Sequence, residues 1–126
     1  MKAGITLDAG GLIALDRNDR RVIALLARAA QTGARITIPA PALAQAIRNP
    51  ARQARLSRLI RQHTSDVIEL DRVDAVSVGR LLAASGTSDV VDAHVVICAK
   101  RAQQSAVTSD PNDLHKIDPK LALIIV

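Results

Sequence analysis

The sequence contains no phenylalanine, tyrosine or tryptophan, and it contains a single cysteine, Cys98. Without aromatic rings no nucleobase can be stacked on a side chain, which argues against RNA-recognition and oligonucleotide-binding folds that depend on such stacking. A single cysteine cannot form an internal disulfide and does not fit the ligand spacing of a zinc finger. A secreted disulfide scaffold is therefore excluded, and a reducing, cytoplasmic setting is expected.

Long apolar runs are also absent. No stretch approaches the roughly 20 apolar residues that a bilayer-spanning helix needs, so no membrane association is expected. The first apolar run is interrupted by Asp8 and is too short for a secretory signal. The 126 residues are nevertheless 48% apolar, which is enough for one domain with its own core. No repeat or linker divides the chain, so residues 1–126 are predicted to form a single domain.

The net charge of +5 comes from one segment, residues 48–61, which contains five arginines and no acid. The arginines are Arg48, Arg52, Arg55, Arg58 and Arg61. Spacings of four and three residues predict that they form a basic stripe on one helix. Such a stripe could contact RNA phosphates, contact an acidic protein segment, or simply be a solvated helix face.

Short apolar runs alternate with segments of helical periodicity along the whole chain. Strands are predicted at residues 3–7, 35–39, 67–70, 106–108 and 121–126. Helices are predicted at residues 11–15, 19–31 with Asn18 as the cap, 40–47, 50–62, 72–84, 89–103 and 111–116. This order predicts an α/β fold with a mainly parallel sheet of about five strands and helices on both faces. Ligands of such folds bind beyond the carboxyl ends of the strands.

Aspartates follow two of the predicted strands, and two more lie at the start of the helix predicted for residues 89–103. Asp8 follows the first strand, Asp110 follows the fourth, and Asp113 comes three residues later. Asp89 and Asp92 lie in the first turn of an apolar helix. Each aspartate could merely cap a helix, but together they would repel one another unless a cation were bound. Carboxylate oxygens suit Mg²⁺ or Mn²⁺, which can position a phosphate and activate water.

Three stretches carry a resemblance: ITLDAGGLIAL, TSDVVDAHVVICA and AVTSDPNDL resemble the three acidic blocks of the PIN domain, most closely those of VapC-type toxins of bacterial toxin–antitoxin pairs. The resemblance implies a three-layer PIN-like fold and an Mg²⁺- or Mn²⁺-dependent endoribonuclease that hydrolyses RNA. It also implies a homodimer and a cognate antitoxin protein. By position, Asp8, Asp92 and Asp110 match the family acids that hold the metal, and Asp113 matches a less constant one.

The resemblance has one departure, because the family usually has a glutamate where this chain has Gln45. Asp89 could take over that role beside Asp92, and the catalytic set is therefore predicted to be Asp8, Asp89, Asp92 and Asp110. Gln45, Arg48, Arg52, Arg55 and Arg58 are predicted to contact substrate. A non-catalytic PIN-like module that binds RNA or a protein partner is the alternative. An aspartyl-phosphate phosphotransferase or receiver domain is disfavoured because Asp8 is followed by Ala9 and Gly10, rather than by the D-x-D motif or acidic pair that such proteins have after the first strand.

The remaining candidate groups are expected to be structural. His94 lies off the face of Asp92 and is predicted to be a packed or hydrogen-bonded core histidine. Cys98 is predicted to be an inert core residue. Thr108 and Ser109 could position water or phosphate near Asp110 or simply cap a helix, and the cap is the favoured interpretation.

Overall fold

A five-stranded, fully parallel sheet forms the centre of the computed structural model, which describes residues 4–126. Its strands are β1 Ile5–Leu7, β2 Ile36–Pro39, β3 Ser65–Ile68, β4 Ser105–Thr108 and β5 Leu123–Ile125. The spatial order is β3-β2-β1-β4-β5, and Leu7 of β1 lies opposite Val107 of β4. The predicted α/β fold with a parallel sheet of five strands is confirmed; Ala3, included in the first predicted strand, lies outside the described residues.

Seven helices connect and cover the strands. They are α1 Ala9–Asp16, α2 Arg20–Thr32, α3 Ala40–Ala46, α4 Ala54–Ile60, α5 Arg72–Ser85, α6 Val90–Ala102 and α7 Pro111–Ile117. Aspartates cap several of them as expected: the Asp71 side chain accepts a hydrogen bond from the Asp74 amide, and Asp89 accepts one from the Asp92 amide. These caps satisfy amide groups that have no partner within the helix.

Helix α6 is the central helix of the core. Its buried residues are Ala93, His94, Val95, Val96, Cys98 and Ala99. It packs against β1, β2 and β4 and also against α3, α5 and α7. Because it packs against the sheet and three helices, its first turn is fixed relative to the carboxyl ends of the strands.

The prediction of one continuous helix over residues 50–62 is wrong. A 3₁₀ turn at Pro50–Arg52 is separated from α4 by Gln53, whose backbone φ and ψ are −112° and 57°. The buried Gln53 side chain accepts from the amides of Arg48 and Asn49 and donates to the Ala46 carbonyl. The segment is therefore a folded loop followed by two turns of helix, and its arginines do not share one helix.

Helix α2 is capped by Asp19 rather than by Asn18. The Asp19 carboxylate accepts from the amides of Arg21 and Val22, at 2.9 and 3.3 Å. Asn18 instead adopts a left-handed backbone conformation with φ of 63° in the turn before it, which asparagine tolerates better than most residues. Among residues 4–126 no single helix is long and apolar enough to cross a membrane, although α5 and α6 together pass such a test as a pair bent by 106°.

Candidate functional site

Two of the predicted acids leave neighbouring strands at the same edge of the sheet. Asp8 directly follows β1 and Asp110 follows β4 after Ser109, and these two strands are paired in parallel. The Asp8 amide donates to the Val107 carbonyl at 3.2 Å, which extends the pairing to the end of β1. Asp110 lies close enough that its charge raises the pKa of Asp8.

Two helices bring the other three acids to this edge. The first turn of α6 carries Asp92, with Asp89 as its cap, and α7 carries Asp113 in its first turn. Burial of the Asp92 carboxyl, followed by repulsion from Asp89, Asp8 and Asp113, raises its pKa from 3.8 to about 7. Five carboxyl groups thus form one electrostatically coupled group, which we call the acidic cluster: Asp8, Asp89, Asp92, Asp110 and Asp113.

Asp8 is the most deeply placed member of the acidic cluster. Its side chain accepts a hydrogen bond from the Gly11 amide at 2.7 Å and another from the Thr108 hydroxyl. These bonds favour the ionised form, but burial outweighs them and the pKa of Asp8 is raised. Only about 5% of the residue is exposed, so the carboxylate is held in one position.

Thr108 links two acids and does not cap a helix by itself. Its side-chain oxygen accepts a hydrogen bond from the Asp110 amide at 3.0 Å while its hydroxyl donates to Asp8. The expectation that Thr108 merely caps the next helix is therefore wrong. A β-branched threonine at the end of a buried strand offers no sequence signal for this role, since its partner Asp8 is 100 residues away.

Asp110 is at the position before α7 but its side chain makes no capping hydrogen bond there. It is hydrogen-bonded to the side chain of Asp113 instead, and this bond, together with the Asp110 charge, raises the pKa of Asp113. Asp110 therefore does not use its side chain to cap α7, whereas Asp89 caps α6.

The donor set fits a hard divalent cation. Every donor is a carboxylate oxygen. Burial and mutual repulsion raise the pKa values of Asp8 and Asp92, and Asp110 raises that of Asp113 although the nearby Lys116 charge opposes the shift. A bound Mg²⁺ or Mn²⁺ would relieve this repulsion. A cavity of about 230 Å³ opens beside Asp89, Asp92 and Asp113, which gives a ligand access to these groups.

The other predicted substrate contacts lie on α3, on α4 and on the segment between them, and their contact with substrate stays a prediction. Gln45 is exposed in the last turn of α3. Arg48 precedes the 3₁₀ turn, and its guanidinium donates to the carbonyls of Ala44 and Ile47. Arg52 is exposed within the 3₁₀ turn.

Arg55 and Arg58 line a different cavity. This apolar groove of about 210 Å³ also contacts Leu15, at the opposite end of α1 from Asp8, and Ile23 of α2. With a rise of about 1.5 Å per residue along α1, these arginines are placed beyond the far end of that helix from the acidic cluster.

A second group of polar side chains lies between α5 and α6. Ligand-type atoms of Asp74, His94 and Cys98 lie within 4.8 Å of one another, an arrangement that could hold a metal ion. Arg101 already donates to both carboxylate oxygens of Asp74, at 2.8 and 3.0 Å, and this contact is the main cause of the lowered pKa of Asp74. His94 Nε2 lies 3.1 Å from the same carboxylate.

This arrangement confirms the predicted core role of His94, which is fully buried and hydrogen-bonded. Burial raises the pKa of the Cys98 thiol to about 11, so the thiol stays protonated and unreactive at neutral pH. Sequence reasoning missed Asp74 because it lies 20 residues from His94 and resembles an ordinary acid in the first turn of a helix.

Comparison with known proteins shows which fold the chain has but does not assign it to a family. No family model matches the chain, and no curated protein matches it. Among solved structures, VapBC2 from Rickettsia felis, bound to a DNA fragment from its promoter, is similar over 97% of this chain and 98% of the matched chain, with a TM-score of 0.66 and 16% identity. FitAcB from Neisseria gonorrhoeae is similar over 95% and 96%, with a TM-score of 0.62 and 16% identity.

The chain has a PIN-like three-layer fold. The family assignment from the sequence, to the VapC-type toxins, is overturned. An identity of 16% supports a common fold only, both neighbours are assemblies of more than one component, and no family model supports membership. Three acidic blocks of about ten residues are too short to establish a family, since aspartates at strand ends and helix starts also arise from capping.

Proposed function

We propose that this protein is an Mg²⁺- or Mn²⁺-dependent endoribonuclease whose site is the acidic cluster. The observation that carries the proposal is the convergence of five carboxyls, three of them with raised pKa values, at the carboxyl edge of a parallel sheet. Without a cation this arrangement opposes folding. A site that costs stability in this way is typical of a functional site rather than of a structural one.

Each acid has a distinct part in the proposed reaction. Asp8, Asp92 and Asp110 would hold the metal, and Asp113 would support Asp110 through their hydrogen bond. The bound metal would supply a water of lowered pKa and neutralise charge on the scissile phosphate. Asp89 lies beside Asp92, where it could accept a proton from the attacking water, while Thr108 holds Asp8 in place.

The two structural neighbours are toxin–antitoxin assemblies, one of them with DNA. By analogy, we propose that this chain works as the enzymatic member of a two-protein toxin–antitoxin pair and binds a cognate antitoxin. RNA as substrate and a homodimer as the working form belong to the same proposal.

The test is metal-dependent cleavage of a fluorophore-labelled single-stranded RNA. Asp92→Asn and Asp110→Asn should each lower the rate at least about a hundredfold, because each removes a metal ligand. Asp66→Asn, the same change at an acid on edge strand β3, should leave the rate unchanged. Mg²⁺ should raise the melting temperature of the parent and of Asp66→Asn, but raise it far less in the other two variants.

Cleavage that survives EDTA, or equal Mg²⁺ stabilisation of all four proteins, would contradict the proposal. The alternative function is a non-catalytic module that binds RNA or a partner, and the neutral Gln45 favours it. RNA binding without cleavage at any Mg²⁺ or Mn²⁺ concentration would support that alternative.

A further inference from the structure

Two cavities lie along the surface formed by α1, α2 and β5. They have volumes of about 420 and 380 Å³ and share Arg21 and Val126. We call this surface the α1–α2 trough; it begins at Gly10 and Ser109, passes Arg17 and Arg21, and ends at Arg28.

The first half of the trough follows one face of α1. Gly10, Ile13, Ala14 and Arg17 line it, and their spacing of three and four residues puts them on a single helix face. This face spans about 10 Å at 1.5 Å per residue. It connects the start of α1, next to Asp8, with the exposed Arg17 at its end.

The second half follows α2 in the same way. Arg21, Ala24, Leu25 and Arg28 share one face of α2 and lie against Ile124 and Ile125 of β5. Ile125 is 59% exposed, so the floor of the trough is apolar and open to solvent while its rim carries guanidinium groups.

The rim has a positive charge. Arg17, Arg21 and Arg28 are all exposed. Among the described side chains that line the two cavities, Asp19 is the only aspartate or glutamate. The Asp19 carboxylate caps α2 and pairs with Arg21 at 3.4 Å. Arg17 and Arg28 therefore have charge available for an anionic ligand.

The mouth of the trough is formed by neighbours of two acids of the cluster. Gly10 is two residues from Asp8, and Ser109 is adjacent to Asp110. A side chain at position 10 would collide with Ser109, since a Cβ there would lie 2.3 Å from the Ser109 Oγ. The entrance to the trough therefore borders the two segments that carry Asp8 and Asp110.

We propose that the α1–α2 trough binds the backbone of a single RNA strand on its way from the acidic cluster, with Arg17 and Arg28 contacting phosphates. The inference rests on the proposed function, because it is the phosphate held at the cluster that places the strand at the mouth. The apolar floor contacts riboses and base edges. An acidic protein segment would also match the arginine rim, and the experiment below distinguishes it from RNA.

The experiment compares two double variants of the full chain with matched chemistry. Arg17→Ala with Arg28→Ala removes two charges from the trough, and Arg55→Ala with Arg58→Ala removes two from the distant groove. All proteins carry Asp92→Asn so that the strand is not cut, and binding of several fluorescein-labelled single-stranded RNAs is followed by anisotropy over a range of salt concentrations.

The trough variant should bind all sequences roughly tenfold more weakly, and the slope of log affinity against log salt should shrink by about 1.4, at about 0.7 for each lost phosphate contact. The groove variant should match the parent. An unchanged slope in the trough variant, or a loss confined to the groove variant, would overturn the proposal. So would unchanged RNA binding with lost binding of a poly-glutamate peptide, which would assign the trough to an acidic protein segment.

The same variants with Asp92 restored separate this inference from the proposed function. If the parent cuts RNA, the trough variant should raise KM about tenfold and leave kcat within about twofold, because its arginines act on binding. RNA binding through the trough without any cleavage would retain the trough and remove the nuclease. Metal-dependent cleavage with an unchanged KM in the trough variant would retain the nuclease and remove the trough as an RNA-binding surface.

Discussion

Asp92 has an acid–base behaviour that depends on the fold around it. Its pKa of about 7 in the folded protein exceeds the ordinary value of 3.8, so the folded state binds this proton more tightly than the unfolded state does. Tighter binding of this proton therefore stabilises the fold fully below about pH 4, and this stabilisation is lost as the pH rises to about 7.

Asp92→Asn should remove this pH dependence. Without Mg²⁺, the variant should be more stable than the parent by roughly 1–2 kcal/mol at pH 8 and nearly equal to it at pH 4; partial solvation keeps the effect below the full 1.4 kcal/mol per pKa unit. Urea denaturation at the two pH values measures the difference. Equal curves at pH 8 would show that the repulsion is already relieved.

Thr108 gives a second prediction at this scale. Thr108→Val keeps the shape of the side chain but removes the hydroxyl that favours ionised Asp8, so the pKa of Asp8 should rise further and divalent-metal affinity should fall about three- to tenfold. Thr108→Ser, which keeps the hydroxyl, should retain most of the divalent-metal affinity of the parent. Calorimetric titration with Mn²⁺ compares the three proteins, and equal affinities would exclude a positioning role.

At the scale of elements, Asp74 of α5 joins two side chains of α6 and so fixes the two helices against each other. Arg101→Ala should destabilise the protein by about 1–2 kcal/mol at pH 7, since it removes two charge-assisted hydrogen bonds to a buried carboxylate. The pKa of Asp74 is lower in the folded protein than in the unfolded chain, so the ionised carboxylate stabilises the fold at pH values above the unfolded pKa. The loss of stability caused by Arg101→Ala should therefore shrink as the pH falls through the folded pKa of Asp74.

Arg101→Lys, which keeps the charge without the two-pronged geometry, should show a smaller loss of stability than Arg101→Ala. Cys98→Ala in the same cluster should cost less than either. Thermal unfolding at pH 7 and pH 3 ranks the variants. A loss for Arg101→Ala that does not change with pH would indicate packing rather than charge.

Gln53 determines the path of the chain between α3 and α4. Gln53→Ala would leave two amides and the Ala46 carbonyl without partners in a buried place, at a cost of about 2–3 kcal/mol. Gln53→Glu retains the acceptor for both amides but replaces the donor near Asp16 and should also destabilise. Hydrogen exchange at Arg48 and Asn49 should increase in both variants, more so in the alanine variant.

At the scale of the whole molecule, the homodimer stays a prediction. Val73 and Val76 of α5 are 69% and 50% exposed, and they form an apolar surface on a helix whose other side packs on α6. If this surface pairs two copies, Val73→Asp with Val76→Asp should convert a dimer into a monomer in light scattering. An unchanged mass would mean that α5 is not the interface.

The fold follows largely from local chemistry that is visible in the sequence. The inner strands β1, β2 and β4 are short and largely buried, whereas β3 begins two residues before the predicted 67–70 and includes Ser65 and Asp66. Asp71 begins α5 and Gly86 ends it. The order of strands and helices then allows few topologies. For this reason the five strands, the buried α6 and the core role of His94 were all predictable.

Contacts between distant residues were decided only by the tertiary structure. Nothing in the spacing of Thr108 indicates that it holds Asp8, and nothing in that of Asp74 indicates Arg101, because these pairs meet only after the sheet has formed. Gln53 interrupts a helix that its neighbours favour, since side-chain hydrogen bonds to Arg48 and Asn49 outweigh local propensity. The raised pKa of Asp92 has the same origin, because burial and the charges of Asp8 and Asp113 act on it only across folded elements.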